Sequence, residues 1–200
     1  ELLACFDATG IEPQDVARAT GQLLRAKYHL DDEDVDARGL EDWGASGWPD
    51  DPLLRSLLRR AINVDAQVER VLVSQRHQLL VRYSAEGCIA PEWLGFAADL
   101  ALQCFLNEFI WAIPAEMQHH VDAIGQAEDS SESGGLNLDV LLMTALFQPL
   151  AEMDEAVNLT DHTRWPAFAH ALVSTAIEEP LAERHIAATI ATAIIEDATS

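Results

Sequence analysis

Through most of this chain, apolar residues return every three or four positions, the spacing that lines one face of an α-helix. The pattern predicts helices at about 13–29, 52–62, 65–84, 91–112, 114–125, 137–150, 165–177 and 180–195, after a short one at 1–9. No run alternates Val, Ile, Thr and aromatic residues in the period of two expected of a strand. The expected fold is all-α, a bundle of about eight or nine helices around a buried central helix, with no sheet.

Turn and cap residues agree with that division. Pro13, Pro52, Pro91, Pro114, Pro166 and Pro180 each stand before an apolar-periodic segment. A first-turn proline fits there because its missing N–H would have had no intrahelical partner. Asp51, Asp65 and Asn137 are expected N-caps, since a side-chain oxygen can take up a free N–H. Two stretches interrupt the pattern. Residues 31–51, DDEDVDARGLEDWGASGWPDD, are dense in acid and carry Trp43 and Trp48. They read as a connector pinned to the body by its tryptophans or, as the alternative, as a partner-binding arm. Residues 126–135, QAEDSSESGG, read as a mobile loop. The expected organisation is an N-terminal helical arm with its acidic Trp-bearing loop at 1–50, followed by a helical accessory domain at 51–200.

One stretch of the pattern raises a chemical question. Phe96 to His120 reads FAADLALQCFLNEFIWAIPAEMQHH, apolar on almost every side through its first eighteen residues. Yet Asp99, Gln103 and Asn107 fall four apart, on one stripe, and Glu108 follows. A buried polar side chain without a partner costs roughly 1–3 kcal/mol. Gln and Asn both donate and accept, so they suit a bridge to loop carbonyls or to a neighbouring helix. Asp99, Gln103, Cys104, Asn107 and Glu108 are therefore expected to form a structural or contact seam. Cys104 lacks any sequence cue for a lowered pKa and reads as a packing residue.

Charge narrows the partners. The chain has 12 Lys plus Arg against 34 Asp plus Glu, a net charge of −22, with Lys27 its only lysine. Clustered cations to neutralise phosphate are missing, so neither nucleic acid nor an anionic membrane surface is an expected partner. Cys5, Cys88 and Cys104 are odd in number and far apart, and no disulfide framework emerges; a reducing cytoplasm is expected. The apolar run at 96–113 is interrupted by groups that would be costly in lipid. The chain opens at Glu1 without an initiator Met, so a processed product or a piece of a longer protein is expected.

Catalytic signatures are sparse. No H-E-x-x-H, G-x-S-x-G or phosphate-loop motif occurs, and no G-x-G-x-x-G follows a strand. Glu116 and His119 make an E-x-x-H pair, half of what a di-iron bundle needs. His120, adjacent to His119, is expected to point to another face. No catalytic, cofactor-binding or metal residue is assigned within the chain, while a helical metalloenzyme built on Glu116 and His119 stands as a minor reading.

The order of segments carries a resemblance. PLLRSLLRRAINVDAQVERVLVSQRHQLLVR at 52–82, then LALQCFLNEFIWAIPAE, resembles a helical region of bacterial tetratricopeptide-repeat methyltransferases. That region lies between the repeats and the class I S-adenosylmethionine-dependent domain. The specific part is Gln103, Cys104, Phe105, Asn107, Glu108 and Phe109, with Phe109 where the family often has tyrosine. DVLLMTALFQPLAEM, RWPAF and IEEPLAERHIAATIATAIIEDATS continue the likeness, which spans roughly 52–200. It implies a non-catalytic helical accessory module beside a methyltransferase, guiding substrate or partner. S-adenosylmethionine would be bound in the adjoining domain. A self-standing interaction scaffold using Trp43 and Trp48 is the alternative.

Overall fold

The computed structural model describes residues 1–129, 137–154 and 156–187, the side chains of 125–129 excepted. Within them the chain is all-α. Its helices are α1 (Leu2–Cys5), α2 (Pro13–Lys27), α3 (Leu40–Ser46), α4 (Pro52–Arg60), α5 (Ala66–Glu86), α6 (Pro91–Leu106), α7 (Gln118–Asp129), α8 (Leu138–Phe147) and α9 (His170–Val173). Short 3-10 turns join them, and the described residues include no strand. No helix among them is long and apolar enough to cross a membrane. The chain divides into two compact units, Glu1–Gln148 and Pro149–Ser200, and residues 1–50 lie in the first.

In the first unit α6 is the central rod. Trp93, Phe96, Ala97, Ala98, Leu100, Ala101 and Leu102 are all buried, as are Asp99, Gln103 and Cys104. A helix apolar on every side belongs inside a core. Alanines at 97, 98 and 101 keep the surface of α6 low, and α8, buried from Val140 to Phe147, packs along it; α4 lies against it as well. Each fully buried Leu or Phe contributes roughly 1.5–3 kcal/mol.

The expected caps operate. Asp51 Oδ1 accepts from the Leu53 and Leu54 N–H groups, Asp65 Oδ1 from those of Gln67 and Val68, and Asn137 Oδ1 from that of Val140. Pro13, Pro52 and Pro91 each open a helix. Pro114 and Pro166 instead precede 3-10 turns, Ala115–Met117 and Ala167–Ala169.

Several boundaries differ from the periodic pattern. The segment at 1–9 is helical only over Leu2–Cys5. The acidic stretch 31–51 contains α3 and a 3-10 turn at Val35–Ala37, because Leu40 and Trp43 share an inward face. The helix expected over 91–112 stops at Leu106. Of the Ser- and Gly-rich loop expected at 126–135, residues 126–129 continue α7, and 130–135 lie outside the described ones.

The second unit contains a further departure. Two helices were expected, at 165–177 and 180–195, with Pro180 opening the second. The backbone from His170 to residue 187 is instead continuously helical, with a π turn at Ser174–Glu178 just before Pro180. A proline inside a helix lacks an N–H and crowds the carbonyl four residues back; the wider π turn relieves both. Residues 188–195 lie outside the described ones. Leu150, Leu159, Trp165, Leu172, Val173 and Ile177 are buried, and Trp165 Nε1 donates to Leu159 O at 2.8 Å.

Candidate functional site

The polar seam of α6 turns out to be three different structures. Asp99 is fully buried, and both its oxygens are taken. Arg55 Nε donates to Oδ2 and Arg59 Nε to Oδ1, each at 2.5 Å. The two arginines are one turn apart on α4, so a single carboxylate clamps α4 to α6. Burial pushes the Asp99 carboxyl above its usual range, while the Arg59 and Arg55 bonds pull it back. One turn earlier, Gly95 leaves room for Arg55: a β-carbon there would lie 2.8 Å from Arg55 Nη2.

Gln103, also fully buried, works on the linker between α4 and α5. Its Oε1 accepts the Asn63 N–H at 3.1 Å, and its Nε2 is buried without a hydrogen-bond partner. Asn63 in turn braces the start of α5 through Asp65: Asn63 Nδ2 donates to Asp65 O, and Asn63 Oδ1 accepts the Asp65 N–H.

Asn107 ends the helix. It is the C-cap residue, 8% exposed, and the chain leaves α6 through a Schellman motif. The Glu108 N–H donates to Phe105 O at 3.0 Å and the Phe109 N–H to Cys104 O at 2.9 Å. Glu108 and Phe109 both have left-handed backbone, φ 57 and φ 56, where glycine is the favoured residue. Glu108 is therefore not part of the buried seam: it is exposed, at the turn. A periodicity reading runs the helix on through this turn because apolar residues resume at Phe109, Ile110 and Trp111, and nothing in the residue types at 108 and 109 announces left-handed backbone.

A buried cation supports the same turn. Arg76 of α5 is 1% exposed and makes no ion pair with a carboxylate among the described residues. Its Nη2 donates to Trp111 O and Ala112 O, both at 3.1 Å, and its guanidinium lies over the Trp111 and Phe147 rings at 5.5 and 4.9 Å. Carbonyls and ring faces thus stand in for an acid. Burial pulls the Arg76 pKa down, and pushes the adjacent Cys104 thiol up to about 12. Such a thiol is inert as a nucleophile at neutral pH. Sequence reasoning missed Arg76, although a signal was present: Val68, Leu72, Arg76 and Leu80 form one i+4 row, with the arginine inside it.

The tryptophans of the acidic segment point inward. Trp43 is 1% exposed and Trp48 fully buried, so neither indole is available to a partner. Trp48 Nε1 donates to Gln75 Oε1 at 2.9 Å, and its ring meets Tyr28 and Trp43 at 4.9 and 5.3 Å. Asp51, expected only as a cap, is a junction: besides Leu53 and Leu54 it binds Lys27 Nζ at 2.5 Å and Tyr28 Oη at 2.8 Å. Burial raises the Asp51 pKa, but these donors together outweigh it and hold the carboxylate below its ordinary value.

Glu116 and His119 are exposed, and among the described residues no group of three or more His, Cys, Asp or Glu is placed to hold a metal ion. His120 does not point away from His119: the two rings are 3.8 Å apart. Glu116 acts on His77 instead, opposing burial and the Arg76 charge, which lower the imidazole pKa. A groove of about 440 Å³ runs beside α3 and α5, past Leu40, His77, Val81 and Arg82, with Arg82 already paired to Glu41 and Glu86. Comparison with protein-family models, with curated proteins and with solved structures finds no match for this chain.

Proposed function

We propose that this chain is a non-catalytic helical accessory module of a bacterial S-adenosylmethionine-dependent methyltransferase, acting in the cytoplasm on an adjoining catalytic domain or a partner protein. One observation carries the reading: Asp99 and Gln103 are fully buried and bonded to α4 and to the linker after it. Polar groups that a helix could have offered to a substrate are used as internal ties. The segment order described above supplies the methyltransferase association. The same resemblance assigns the cofactor to the neighbouring domain.

Two measurements test this. Calorimetry of the isolated chain with S-adenosylmethionine should give no heat of binding; micromolar affinity would move the chemistry into this module. Reading the genomic frame and its neighbours should find a class I methyltransferase domain in the same frame or the next gene. Finding neither would remove the proposal's main support.

A further inference from the structure

The turn after α6 holds an acid where the backbone favours glycine. Glu108 occupies the left-handed position of the Schellman motif, Phe109 repeats that backbone, and Glu108 is exposed with no ion pair among the described residues. Its side chain therefore does nothing visible for the fold, while glycine would suit the backbone better. Two residues on, Ile110 is 72% exposed, more than any other large apolar side chain among the described residues.

The turn is also braced from within. Asn107 is buried on one side; on the other, Trp111 is buried and its carbonyl, with that of Ala112, is held by Arg76. A rigid projection results, with a carboxylate and an isoleucine at its end. A projection ordered before binding loses little entropy when it docks.

The geometry points to the Glu108–Ile110 turn as the docking tip through which this module engages a protein domain. The complement is an apolar pocket with an arginine or lysine at its rim. A net charge of −22 opposes a second copy of this chain and favours such a cationic face. The occupant is the methyltransferase domain of the preceding section, on which this inference rests.

Titration calorimetry tests it, using the full chain and the purified methyltransferase domain encoded with it. Glu108→Gly and Ile110→Ser are compared with the parent, each melted alone as a check on folding. Both variants should fold, Glu108→Gly melting above the parent. Each should bind roughly tenfold or more weakly, the scale of an interface hot spot. Parent-like affinity in both overturns the docking tip and leaves the methyltransferase reading standing. A parent chain that does not bind the domain overturns both. Concentration-dependent dimerisation of the chain alone, abolished by Ile110→Ser, would seat a second copy at the turn and overturn the stated occupant.

Discussion

Arg55 Nε lies 2.5 Å from Asp99 Oδ2, and the guanidinium passes over Gly95, one turn earlier on the same helix. Three residue choices on two helices thus serve one carboxylate, since Arg59 completes its pairing. Asp99→Asn should cost about 2–3 kcal/mol in urea unfolding. That is less than a fully buried pair loses, because Arg55 and Arg59 are part exposed and can rehydrate. Arg59→Met should cost less, as Arg55 remains. Equal losses from the two would argue against a shared clamp.

Gln103 offers a separate test. Gln103→Leu removes the acceptor of the Asn63 N–H and should destabilise by about 1–2 kcal/mol. Hydrogen exchange at the Asn63 amide should quicken in the same variant. An unchanged exchange rate would show that the amide has another acceptor.

Gly21 sits where α2 meets the cap of α5. A β-carbon there would lie 2.5 Å from Asp65 Cβ, so Gly21→Ala must displace the residue whose carboxylate caps Gln67 and Val68. The expected loss is about 2 kcal/mol, overpacking and cap loss together. Asp65→Ala isolates the cap and should cost about 1 kcal/mol. Gly21→Ala costing no more than that would mean the helices part without strain.

Acid should reveal His77. Burial, aided by the Arg76 charge, lowers its pKa in the folded chain below the ordinary 6.5. Between the lowered value and 6.5 the unfolded chain therefore holds more protons. Stability is full above 6.5 and falls as pH drops through that window. The difference in unfolding free energy between the parent and His77→Gln, followed from pH 7.5 to 5, should change in that direction; a flat difference contradicts it.

Periodicity carried the architecture. Helices at 13–27, 52–60, 66–86 and 91–106 follow from apolar spacing with Pro or Asp at their starts, all local signals. The ends of helices were harder. Leu106, Phe109 and Ile110 look alike to a hydrophobicity count, and α6 stops among them because Asn107 and Trp111 are drawn into the core on either side of a reversal. Trp43 and Trp48 were visible as anchors, but whether an indole faces a partner or its own chain depends on what lies opposite. Gln75, 27 residues after Trp48, lies opposite.

By itself, then, the order of residues determined an all-α chain, the buried central rod and the capping of its helices, because each depends on neighbours within a few positions. Tertiary structure alone decided which polar groups of that rod are ties and which face outward. Asp99 meets arginines 40 and 44 residues away, and Arg76 meets carbonyls 35 and 36 residues away. A hydrogen bond between distant segments depends on the path of the whole backbone, and spacing along one helix holds no record of it.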